Sequence, residues 1–425
     1  MKNEAQIGDK VEVHTGKKIY EGILLEAPAD EKGIILVKLN SGYNLGLIKK
    51  DILEIKSIES RGDGFRKQEP KLSKIKLDSK KPNVAMIITG GTIASRLDAK
   101  TGGVSPLDSP EELFKFYPAM FKHVNVSRVE IPFMKFSEDM DYLDWKKLAK
   151  ITGDLLNDSN IQGVIITHGT DSLHYTSAAL SFFLRNLNKP VVLTYSQRSI
   201  DRASSDANLN LECSALAAIS DIAEVMLVGH AESSDSFCYA MNGAKVRKLH
   251  SSKRDAFKPV NTKPFAKISD GRIDILSEHN LRNKNKVLVD SKFENKVALI
   301  KFYPGQDPDI LDYYVEKGYK GIVLEVLGLG QIATKNSRKS WLQKLKDVQE
   351  AGIFVCAASQ TINGALNPKV YSSGRELEKI GIVYLKDMLS ETAFVKLGWV
   401  LGHEKWDVKE KMLENISREY NGRLN

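Results

Sequence analysis

Residues 84–95 read Val-Ala-Met-Ile-Ile-Thr-Gly-Gly-Thr-Ile-Ala-Ser, and this stretch limits what the chain can fold into. Val84 to Ile88 form an unbroken apolar run with three β-branched members, Val84, Ile87 and Ile88, as expected of a strand buried on both faces of a parallel sheet. Gly90 and Gly91 then let the backbone turn sharply and deliver Thr92 at the carboxyl end of that strand. Ligands of open α/β sheets bind along this edge. Taken alone, the stretch reads equally well as a glycine turn without chemistry.

A second stretch repeats the design. Val164 to Thr167 is another buried-strand run, opening into His168-Gly169-Thr170-Asp171 before a helix expected over Leu173 to Leu187. Two strand ends that each present a threonine on a glycine turn are harder to read as punctuation. A threonine hydroxyl attacks only when a base removes its proton, so a base and a group to orient it are also required. A lysine can serve when its surroundings favour the neutral amine, with a carboxylate to hold it. Thr170 and Asp171 also suit a helix N-cap, and that reading stands beside the chemical one.

The two stretches resemble the signature motifs of the L-asparaginase family, at Thr89 to Ser95 and His168 to Ser172. Ser137-Glu138-Asp139-Met140 is similar to the family's substrate loop, and Asn242 to Asn261 resembles the segment carrying its catalytic lysine, here Lys248. The resemblance runs over roughly residues 83 to 402. It implies Thr92, Thr170, Asp171 and Lys248 as catalytic residues, with Ser137, Glu138 and Asp171 holding the substrate's α-amino and α-carboxylate groups. Which threonine attacks first stays open. Within the family, Tyr195 to Asn210 and an added N-terminal β domain look more like the archaeal-type branch, the D subunit of glutamyl-tRNA(Gln) amidotransferase, than like a free asparaginase.

That branch implies a glutaminase acting through a threonine acyl-enzyme, in a carbon–nitrogen ligase with glutamine as amido donor. Ammonia would pass to a partner, the E subunit, which converts Glu-tRNA(Gln) to Gln-tRNA(Gln) with ATP and Mg²⁺; this chain itself would need no cofactor. The resemblance further implies a homodimer within a two-plus-two heterotetramer, with tRNA held mainly by the partner. A free L-asparaginase is the alternative, and a non-catalytic scaffold for tRNA or partner is a third. Loss of any of Thr92, Thr170, Asp171 or Lys248 would favour the scaffold, and all four are present.

The expected architecture is α/β in four parts. Residues 1–60 carry short strands at Val11–Val13, Tyr20–Leu25, Ile34–Leu39, Leu45–Ile48 and Ile52–Ile55, separated by turn signals, as in an SH3-like small β-barrel. Residues 61–82 read as a basic linker: Arg61 to Lys81 hold eight Lys or Arg against three Asp or Glu. Residues 83–283 form a large doubly wound domain with mostly parallel strands and helices on both faces, including helices over Asp144–Leu156 and Ala215–Ala223. Residues 284–425 form a smaller α/β domain and tail, opening with Val297 to Gly305. Gly402 is placed to stop a helix over Glu391–Leu401, and Val408, Met412 and Ile416 recur at helical spacing.

The loop Arg96 to Pro106 is polar, with Gly102 and Gly103 adjacent, and reads either as a mobile lid or as an ordinary exposed loop. Relatives carry a tyrosine in this lid; here there is none, and Ala99 or a neighbour stands in its place. The net charge of +8 is spread over 62 basic and 54 acidic residues, so it supports RNA contact only weakly. No apolar run approaches the roughly 20 residues of a membrane span, and Met1-Lys2-Asn3-Glu4 begins no secretory signal, so a cytoplasmic protein is expected. Cys213, Cys238 and Cys356 have no metal-ligand spacing and read as buried hydrophobes. His168 and His250 lack a third ligand at suitable spacing, so no metal site is expected.

Overall fold

The computed structural model describes residues 5–16, 18–25, 33–39, 44–59, 77–97, 104–106, 118–199 and 204–414. Its first unit is a small β domain of five strands, β1 (Lys10–Thr15), β2 (Ile19–Leu25), β3 (Ile34–Leu39), β4 (Asn44–Ile48) and β5 (Ile52–Glu59). They form one antiparallel sheet in the order β4-β3-β2-β1-β5, with β5 returning beside β1. Register shifts in the β1–β5 pair twist the sheet around a core of Val11, Val13, Leu24, Val37 and Leu47. Most of the basic linker, residues 60–76, lies outside the described residues.

The large unit is an eight-stranded sheet. In chain order its strands are β6 (Asn83–Ile88), β7 (Asn125–Glu130), β8 (Val164–Thr167), β9 (Val191–Thr194), β10 (Val225–His230) and β11 (Cys238–Asn242). A separate hairpin, β12 (Val246–Lys248) and β13 (Phe257–Pro259), precedes the last two strands, β14 (Ala266–Ser269) and β15 (Arg272–Ile275). The sheet order is β15-β14-β11-β10-β9-β8-β6-β7. Strands β7, β6, β8, β9 and β10 are parallel, and β11, β14 and β15 continue antiparallel. The chain leaves β6 to one side to form β7 and to the other to form β8, so strand order reverses at β6 and β8. A crevice outside the carboxyl ends of these two strands follows from that switch.

Alternation along β6 assigns its faces. Ala85 and Ile87 pack with α1 (Tyr142–Leu156) and α2 (Leu173–Phe183), whereas Val84, Met86 and Ile88 pack with α3 (Ala207–Ile219). Two helices differ from the sequence expectation. α2 stops at Phe183, not Leu187, because Leu184 is extended and Leu184–Arg185 pair with Leu288–Val289. α3 begins at Ala207 and ends at Ile219, against an expected Ala215–Ala223; Asn210 in its first turn is buried, its amide donating to Tyr195 O.

The smaller unit is a four-stranded parallel sheet in chain order: β16 (Val297–Lys301), β17 (Gly321–Val326), β18 (Phe354–Ser359) and β19 (Val383–Tyr384). Helices α4 (Ile310–Glu316), α5 (Leu342–Glu350) and α6 (Ser372–Lys379) connect the strands, and α7 (Ser390–Leu401) and α8 (Val408–Leu413) follow. Val395, Leu397 and Trp399 of α7 share one core with Phe182 and Phe183 of α2, which joins the two units. Gly402 ends α7 in right-handed, not left-handed, geometry. A Cβ there would sit 2.6 Å from Phe293 N, so close backbone approach is what requires a glycine. Ile416 lies outside the described residues.

Candidate active site

Three loops meet at the β6/β8 switch point. Gly90 and Gly91 take positive φ, 112° and 77°, which only glycine adopts without strain. A Cβ on Gly91 would lie 2.4 Å from Gly169 N, and one on Gly169 would lie 2.9 Å from Ser137 Oγ. The glycines therefore permit backbone-to-backbone packing of the first motif, the second motif and the Ser137 loop. Thr92 follows Gly91 and Thr170 follows Gly169, so the two threonines leave adjoining points of one contact. The Thr89 hydroxyl donates to Thr167 O at 2.8 Å and fastens the two strand ends.

Lys248 closes the group from the β12 hairpin. Its Nζ donates to Thr170 Oγ1 and to Asp171 Oδ1, both at 2.8 Å, with the lysine side chain 11% exposed and the aspartate 67%. Thr92 is half-buried and opens a short turn, Thr92–Ala94. Ser137 is buried, and its Oγ accepts from Asp171 N at 3.1 Å and from Ser172 N at 3.4 Å, leaving its own hydroxyl hydrogen to offer. Glu138 is exposed beside it. His168 is fully buried, which pushes its imidazole down to about 4. Neutral, it donates from Nδ1 to Gly169 O at 2.7 Å and accepts at Nε2 from Thr176 Oγ1 at 2.9 Å, holding the second motif's turn. Among the described residues, no group of three or more His, Cys, Asp or Glu is placed to hold a metal. Cys213, Cys238 and Cys356 are buried free thiols.

The stems of the Arg96–Pro106 loop, Ser95–Leu97 and Val104–Pro106, pair antiparallel, and the tip between them, with Ala99, Gly102 and Gly103, lies outside the described residues. The structure also adds groups that the motifs do not mark. Lys135 N donates to Thr89 O, and the Lys135 ammonium lies 2.9 Å from both oxygens of buried Asp144, which raises its pKa. Behind Lys248, Arg247 pairs with Glu391 and Lys245 with Asp387, each at 2.8 Å.

Three family models match along the chain. Residues 83–281 match the family model for the asparaginase N-terminal domain, residues 296–412 that for the glutaminase/asparaginase C-terminal domain, and residues 5–58 the GatD N-terminal domain. The D subunit of the Pyrococcus furiosus glutamyl-tRNA(Gln) amidotransferase is 45% identical over 97% of this chain and 94% of its own. This chain belongs to the family of glutamyl-tRNA(Gln) amidotransferase D subunits. The D subunit of Methanobrevibacter smithii is 39% identical over 99% of this chain and 95% of its own. Among solved structures, the thermostable L-asparaginase of Thermococcus kodakarensis superposes with a TM-score of 0.69 at 27% identity, over 79% of this chain and 98% of that one. L-asparaginase I of Vibrio cholerae gives 0.65 at 26% identity, over 78% and 95%. The D-subunit family thus combines an asparaginase-like fold with a further N-terminal domain. None of the described helices is long and apolar enough to cross a membrane.

Proposed function

We propose that this chain is the glutaminase of a tRNA-dependent amidotransferase. The observation that carries the reading is Lys248 Nζ, 2.8 Å from both Thr170 Oγ1 and Asp171 Oδ1, beside the contact of the two glycine turns. In the proposed route Thr92 Oγ attacks the side-chain carbonyl of glutamine. Lys248, as the neutral amine, takes the Thr92 proton through the Thr170 hydroxyl and returns it to the departing nitrogen, so the C–N bond breaks, ammonia leaves and a glutamyl ester remains on Thr92. Water then attacks the ester with the same relay as base, giving glutamate and free Thr92. Asp171 orients the Lys248 ammonium and, with Ser137 and Glu138, receives the substrate's α-amino and α-carboxylate groups.

Ammonia then serves a partner that activates glutamate on Glu-tRNA(Gln) with ATP and Mg²⁺, in a cytoplasmic two-plus-two assembly. A free asparaginase is the second reading, favoured by the solved neighbours being L-asparaginases. Glutamine and asparagine differ by one methylene, a difference that a pocket discriminates by only about 1 to 3 kcal/mol.

The test is ammonia release from glutamine and from asparagine, by the chain alone and with glutamate-charged tRNA and the E subunit. Glutamine cleavage that accelerates when both are added supports the amidotransferase. Brisk asparagine cleavage indifferent to either would overturn it.

A further inference from the structure

We propose that Glu391 is a positioning residue that sets Lys248 against Thr170. The inference rests on the reading of those two residues given above. Lys248 is on β12, which pairs with β13 in a two-stranded sheet apart from the eight-stranded one. Isolated two-stranded ribbons are marginal in water, so the ribbon needs support from elsewhere to hold an amine at a fixed distance. Arg247 and Lys248 are successive strand residues, and their side chains leave opposite faces. One face carries the Lys248 ammonium to Thr170 and Asp171; the other carries the Arg247 guanidinium to Glu391 Oε1 at 2.8 Å.

The same Glu391 oxygen stands 3.9 Å from Nε2 of His174, three residues beyond Asp171 in the first turn of α2. A single carboxylate from the smaller unit therefore backs both arms of the relay, the lysine strand and the helix that follows the second threonine. Glu391 is buried in the first turn of α7, and burial pushes the His174 imidazole down to about 3, so the arginine is its cationic partner. The Ser390 hydroxyl donates to Glu325 Oε1 at 2.5 Å, with Glu391 Oε2 3.3 Å from the same hydroxyl oxygen. Two further contacts pin the approach to the strand: Lys245 to Asp387 at 2.8 Å, and the Thr392 hydroxyl donating to Ala244 O at 2.8 Å. The smaller unit is thus a brace for the amine of the larger one.

The experiment compares wild type with Glu391→Gln, the double variant Arg247→Gln/Glu391→Gln, and Lys248→Ala, measuring kcat and KM for glutamine and the melting temperature. Glu391→Gln leaves Arg247 without its anion, so it both destabilises the fold and releases the strand. The double variant removes both members of the pair and should recover melting temperature. Its kcat should stay about 10- to 100-fold low, as displacement of a reacting group by about 1 Å produces, with KM changed little. A kcat that recovers with the melting temperature, or a raised KM at unchanged kcat, would overturn the inference. If Glu391→Gln does not fold, the double variant decides alone. Full activity in Lys248→Ala would sink the underlying reading instead; an inactive Lys248→Ala beside a wild-type kcat in both Glu391 variants sinks only the role of Glu391.

Discussion

Lys248 and Lys396 are both amines drawn largely out of water, in two different regions, and their surroundings could hardly differ more. Lys248 ends the first strand of a hairpin at the carboxyl edge of the large sheet and touches a threonine hydroxyl and an exposed carboxylate. Lys396 is 2% exposed on α7, where its Nζ donates to the Met412 and Glu414 carbonyls at the end of α8. Phe182, Trp399 and Trp406 line the cavity of about 120 Å³ beside it. Burial pushes the Lys396 amine down to about 7, because carbonyls solvate an ammonium without cancelling its charge. A strongly perturbed lysine is therefore not by itself a site. What marks Lys248 is a partner able to exchange protons, on a sheet edge built for ligands.

Lys248→Ala should lower glutamine-dependent ammonia release by about a thousandfold or more while moving the melting temperature little, since it removes a proton carrier and only a partly exposed ion pair. Comparable loss of activity in Lys396→Met would erase the distinction. Lys396→Met should instead keep activity within about twofold and change how stability depends on pH. The folded amine near 7 lies below the ordinary lysine value of 10.5, so between those values the unfolded chain binds more protons and stability rises with pH. The ceiling on that slope is about 1.4 kcal/mol per pH unit. Urea midpoints at pH 7 and 9 should diverge less in Lys396→Met than in wild type; an equal divergence would assign the slope to other groups.

The architecture around the site is readable because local signals carry it. The apolar runs Val84–Ile88 and Val164–Thr167 end in glycine turns, and both form neighbouring parallel strands with the turns in contact. The five short N-terminal strands are equally legible from alternation and turn residues. What escapes reading is polar and remote. The start of α3 hides in Ala207-Asn208-Leu209-Asn210, because an asparagine buried to hold another segment's backbone looks like a loop residue. The pairs Arg247–Glu391 and Lys245–Asp387 join residues more than a hundred positions apart, and such charge pairing leaves no periodicity to detect. Lys135 escapes for the same reason, since its role depends on meeting both Thr89 and Asp144. The tip of the Arg96–Pro106 loop, where the family resemblance leads one to look for a tyrosine, lies outside the described residues.

The attacking residue is tested most directly by treating the full chain with a diazoketone analogue of glutamine and mapping the adduct by peptide mass spectrometry. The reagent alkylates the nucleophile that would attack the amide. A nucleophilic Thr92 predicts a single adduct on the peptide bearing it, abolished in Lys248→Ala and blocked by excess glutamine. An adduct on Thr170, or one on Thr92 that persists at full rate without Lys248, would contradict it.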